Sequence, residues 1–128
     1  MSYYFARTID RGFDQTVADV RTALAGQGFG VLTEIDVKAT MKAKIGEDFR
    51  PYTILGACNP AMAHKALQME DKVGAMLPCN VIVQDLGGGR TEVAAIDPVA
   101  SMQAIRNDAL KEKAAAVGDK LRAAVDRL

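Results

Sequence analysis

Both thiols of this 128-residue chain precede an asparagine, in Gly56-Ala57-Cys58-Asn59-Pro60 and in Leu77-Pro78-Cys79-Asn80-Val81. A thiol acts as nucleophile, redox centre or soft ligand only as its thiolate, so its surroundings decide what it does. Asn59 is a good helix cap and Pro60 suits the first helical position, so a helix is expected to start at Pro60. Cys58 then sits just before free backbone N–H groups and the positive end of a helix dipole, which favour the anion. His64, the chain's one histidine, lies one turn into the same helix. Its side chain tilts toward the N-terminus and could approach the Cys58 sulfur or a group bound beside it, a pairing used by nucleophilic and redox thiols. The plain alternative is core packing: free cysteines are among the most buried residues, Cys79 shares a strand face with Val81 and Val83, and His64 is a flank histidine. Whether the two thiols meet depends on strand direction, because a parallel return would leave them at opposite ends of the sheet. Cys58, Asn59, His64, Cys79 and Asn80 are the candidate pocket residues, with no catalytic role assigned to any of them.

Other motifs carry less. Cys58, Cys79 and His64 offer three ligands without CxxC or HxxxH spacing, so no metal site and no cofactor are expected. Gly87-Gly88-Gly89-Arg90 lies between two predicted strands and reads as a hairpin turn, whereas a phosphate cradle leads from a strand into a helix. No Gly-x-Ser-x-Gly elbow accompanies the single histidine, which argues against a serine triad. Lys38, Lys42, Lys44 and Arg50 are interleaved with Glu34, Asp36, Glu47 and Asp48, the pattern of a solvated face.

The elements that must position these residues follow from periodicity. Tyr3, Phe5 and Ile9 alternate as a strand, and Phe13, Val17, Val20 and Leu24 then recur at helical spacing until Gly26-Gln27-Gly28. From Phe29 the period returns to two, with Phe29, Val31, Ile35 and Val37 expected on one face and Glu34, Asp36 and Lys38 on the other. A short helical turn is expected over Thr40 to Ile45, a third strand over Tyr52 to Cys58, then the Pro60 helix. A strand from Cys79 to Asp85 and its partner from Thr91 to Ile96 follow. Asp97-Pro98 repeats the cap signal and launches one long helix toward Leu128, weakened at Gly118. The order βαβ(α)βαββα suits an α+β two-layer sandwich, with a mostly antiparallel sheet of about five strands and two main helices on one face. The other face, with Tyr4 and Leu32 among its side chains, is left incompletely covered, and an exposed apolar patch of that kind marks an interface.

Length and composition bound the rest. Residues 1–128 form one domain, since nothing in the chain reads as a linker. Apolar residues are 49% and charged residues 25%, and 16 basic residues balance 16 acidic ones, so nothing recruits nucleic acid or an anionic membrane. There is no signal-peptide pattern at the start and no apolar run long enough to span a bilayer, so a cytoplasmic, soluble protein with reduced thiols is expected.

The run Gly28 to Lys38, Phe49-Arg50-Pro51-Tyr52 leading into Leu55 to Pro60, Ala63-His64, and Leu77 to Val81 together resemble domain-of-unknown-function family 302, a small prokaryotic domain. The resemblance covers nearly the whole chain and implies a two-layer α/β sandwich and a homodimer, with no established activity and no catalytic residue to carry over. The expected role is that of a homodimeric module binding a small ligand or a protein partner near the two Cys-Asn blocks. A thiol-dependent redox or metal enzyme using Cys58, His64 and Cys79, and a purely structural interaction domain, stay open as alternatives.

Overall fold

The computed structural model describes residues 2–128 and has one five-stranded antiparallel sheet in the order β1-β5-β4-β3-β2. The strands are β1 (Tyr4–Ile9), β2 (Gly30–Asp36), β3 (Tyr52–Cys58), β4 (Cys79–Gly87) and β5 (Arg90–Ile96). The helices are α1 (Phe13–Gly26), α2 (Val37–Ile45), α3 (Pro60–Met69), α4 (Pro98–Ser101) and α5 (Asp108–Asp126), with a 3₁₀ helix at Asp71–Met76. Helices α1 and α5 pack on the sheet and on each other, which is the expected α+β two-layer arrangement.

Alternation along the central strands sorts the side chains. Leu55, Val81, Val83, Val93 and Ala95 point to the helices and are all but fully buried against Val20 and Leu24 of α1 and Leu121 and Val125 of α5. A second, smaller core cluster joins Ala66 of α3, Val73 of the 3₁₀ helix, Met102, and Leu110 and Ala114 of α5. The opposite sheet face carries no main helix. Its cross-strand register sets Ile35, Ile54, Ile82, Ala94 and Ala6 in one row across all five strands.

Three local expectations are corrected. In β2, Val31 pairs with Ala57 but Thr33 pairs with Gly56, so Leu32 is an extra residue in a bulge. A bulge reverses the alternation beyond it. Ile35 therefore lies on the open face, away from Val31, while Glu34 turns to the helices and meets Arg21 of α1 at 2.6 Å. Val37 leaves the strand altogether. It opens α2, capped by Asp36, whose carboxylate accepts from the Ala39 N–H at 2.9 Å.

The long C-terminal helix is two helices. After α4 the chain leaves helical geometry so that Met102 and Ile105 can pack in the second cluster, and it restarts at Asn107. The Asn107 side chain caps α5 by accepting from the Leu110 N–H at 3.2 Å, and its amide donates to the Met69 carbonyl at 3.2 Å. Gly118 is among the buried residues of α5. A Cβ there would stand 3.4 Å from the Pro98 ring, at the edge of ordinary van der Waals contact, so α4 lies close over this turn of α5. The Gly87-Gly88-Gly89-Arg90 run is a hairpin turn: Gly88 and Gly89 have φ of 65° and 78°, the positive values that a two-residue type I′ turn demands.

Candidate functional site

Because β3 and β4 are antiparallel, the end of one lies beside the start of the other. Cys79 pairs with Ala57, which places Cys58 one residue along from it at the same end of the sheet. Both cysteines are free, Cys58 half-buried and Cys79 buried. Burial pushes the Cys79 thiol up to about 11, and the neighbouring Cys58 charge pushes in the same direction.

Both border a cavity of about 40 Å³ at the seam between the two core clusters. Phe29, Ala57 and Cys79 wall it from the sheet side, Met62, Ala63 and Ala66 from α3, and Met102, Leu110 and Ala114 from the C-terminal segment. Its walls are almost wholly apolar, with Asn59 and Lys113 as the polar exceptions. Helix α3 meets this seam with its N-terminus, as the Asn59-Pro60 pair foretells. The Asn59 Oδ1 accepts from the Met62 N–H at 3.3 Å, so this side chain is a helix cap.

Packing holds the site's backbone in place. Gly56, two residues before Cys58, is buried under Pro78, which precedes Cys79. A Cβ at Gly56 would come within 2.6 Å of the Pro78 Cγ and 2.1 Å of the Thr33 Oγ1, so only glycine lets these two segments lie together. The Pro78 ring is reached through a cis Leu77-Pro78 bond.

The remaining candidates are elsewhere. His64 is exposed and does not border the cavity. At about 100° per residue it stands about 200° round α3 from Met62, so the helical twist that turns Met62 and Ala63 inward carries it away from Cys58. Asn80 also faces away, because it follows Cys79 on the strand and alternation sends it to the open face. There it borders a shallow hollow of about 340 Å³ with Tyr3, Tyr4, Tyr52, Gln84 and Glu92. A polar chain runs beside that hollow: Arg50 donates to Gln84 at 2.9 Å, and Gln84 donates to Glu92 at 2.8 Å. Arg50 also lies 4.5 Å from the Phe49 ring centre.

Sequence reasoning missed Met102, Leu110 and Ala114 as cavity residues. The only available signal was Asn107-Asp108, a cap pair inside what reads as one helix, which marks where the chain turns back. Lys38, Lys42, Lys44 and Arg50 are exposed, as expected of a solvated face, and Lys42 pairs with Asp48 at 3.2 Å. Among the described residues, no group of three or more His, Cys, Asp or Glu is placed to hold a metal, and no helix is long and apolar enough to cross a membrane.

Comparison with known proteins agrees with this architecture. No curated protein matches the chain. The crystal structure of an uncharacterised conserved DUF302 protein from Bacillus stearothermophilus superposes with a TM-score of 0.91 at 29% identity, over 99% of this chain and 98% of that one. The family model for the domain of unknown function DUF302 matches residues 5–128, so the chain belongs to that family.

Proposed function

We propose that the protein is a homodimeric binding module that holds a ligand of a few heavy atoms in the cavity beside Cys58 and Asn59. The cavity itself carries the reading. Its volume of about 40 Å³ exceeds the roughly 10–15 Å³ that one water needs, yet falls far short of the roughly 300 Å³ or more of a metabolite pocket. An apolar void lowers stability unless something fills it, and this one lies at a helix start beside a half-buried thiol. Such a place offers a small ligand apolar contact and one reactive or soft group. The reading takes the protein as cytoplasmic, where its thiols stay reduced.

Xenon tests the pocket directly, since it enters apolar cavities without needing any polar partner. With [¹³C]methyl-methionine protein under xenon, the Met62 and Met102 signals should shift saturably, and Ala63→Leu should abolish the shift. Unmoved signals in the parent protein would refute a ligand-accessible cavity.

The homodimer is supported by the open sheet face and the edge beside it. The isoleucine row and Tyr4 lie on that face, while Leu32, Ile35 and Ile45 on β2 and α2 are 66%, 46% and 65% exposed. Exposed apolar side chains of this kind are what dimers cover. Sedimentation at micromolar concentration should therefore show a species near twice 13.7 kDa, and a species at 13.7 kDa alone would refute it.

A further inference from the structure

Four sulfur-bearing side chains border the cavity beside Asn59, and they reach it from four separate parts of the chain. Cys58 ends β3, Cys79 starts β4, Met62 is in the first turn of α3 and Met102 follows α4. No histidine, aspartate or glutamate joins them. The other walls are apolar apart from Asn59, whose side-chain oxygen is engaged in capping α3, and Lys113.

We propose that this cavity binds a single Cu(I) ion, through the thiolates of Cys58 and Cys79 with the thioethers of Met62 and Met102 completing an all-sulfur shell. The inference rests on the binding reading above and names its ligand. Donor chemistry selects the ion. Thiolate and thioether sulfurs are soft and suit Cu(I), whereas structural zinc takes thiolate, imidazole or carboxylate ligands, of which only two are present here. Size agrees, since a space of about 40 Å³ admits an ion or a few atoms and excludes an ordinary metabolite.

The charge balance is also workable. Cu(I) and two thiols give a bis-thiolate copper centre and release two protons to solvent, with no change of oxidation state. The product carries one net negative charge, and Lys113 is the cationic residue among those lining the cavity. Coordination by a cation deprotonates both thiols, because the metal supplies the positive charge that the apolar wall does not.

The test uses the reduced, full-length protein without oxygen, titrated with Cu(I) in competition with the colorimetric chelator bicinchoninate. One Cu(I) per chain with release of about two protons is expected, with affinity reduced at least about 100-fold by Cys58→Ser or Cys79→Ser and at least about tenfold by Met102→Leu or Met62→Leu. The leucine variants keep side-chain volume and so keep the fold, which separates loss of a ligand from loss of structure. Failure to take Cu(I) from the chelator, equal affinity in the cysteine variants, equal affinity in both leucine variants, or equally tight binding of Zn(II) would each overturn the assignment. If xenon enters the cavity and Cu(I) does not bind, the metal assignment fails while the binding pocket stands. If neither enters, both fail.

Discussion

The two thiols should differ in reactivity, because one is buried and the other only half-buried. Burial raises the Cys79 pKa from an ordinary 9.0 to about 11. Two pKa units leave about 100-fold less thiolate at neutral pH than an ordinary cysteine has, and the thiolate is the species that alkylates. Limited access at 7% exposure slows it further. Cys58 is only half-buried beside the start of α3, so reagent reaches it more readily than Cys79. Timed iodoacetamide labelling of the native protein at pH 7, read by peptide mass spectrometry, should modify Cys58 first. Cys79 should react at least about 100-fold more slowly than in the urea-unfolded chain. Equal native rates, or faster modification of Cys79, would refute the assignment of burial as the controlling effect.

Because Cys79 holds its proton more tightly folded than unfolded, its contribution to stability is complete below pH 9.0 and is lost as pH rises toward about 11. Denaturant melts across that window should show a loss of about 2–3 kcal/mol that Cys79→Ala largely abolishes, and a flat profile in the parent would refute it. Asn59→Ala should cost about 0.5–2 kcal/mol through the lost cap while Asn59→Asp keeps it, as denaturant midpoints would show; an alanine variant as stable as the parent would assign Asn59 to the ligand instead. Gly56→Ala should cost at least about 1–3 kcal/mol, because the new methyl group meets the rigid Pro78 ring and only displacement of the strand ends relieves it. A thermal midpoint within about 1 °C of the parent would contradict that packing account.

Much of the fold was legible because its signals are local. Alternation marks the strands, and Asn59-Pro60 and Asp97-Pro98 announce helix starts that the structure confirms as side-chain caps. The bulge at Leu32 was not legible, since an extra residue in a strand changes no propensity and only shows once β3 fixes the register. The break before α5 was obscured for a related reason. Residues Gln103 to Arg106 fit a helix as well as any, and it is the burial of Met102 and Ile105 against Ala66 and Val73 that pulls them out of it. The candidate site was half legible. A thiol at a helix start is a sequence-level feature, so Cys58 and Asn59 stand where expected. The proximity of Cys79 needed the antiparallel pairing of β3 and β4, and the outward turn of His64 needed the helix phase that packing against α5 sets. The Met102 and α5 walls of the cavity are tertiary facts whose one local trace is the Asn107 cap.

Native mass spectrometry of freshly purified protein, parent beside Ala63→Leu, tests the central claim most directly, since it weighs the assembly and anything held in the cavity together. The parent should appear as a dimer retaining one small ligand per chain that the leucine variant, still dimeric, has lost. A parent that flies as a bare 13.7 kDa chain, or a ligand equally retained when Ala63 is filled, would contradict the account.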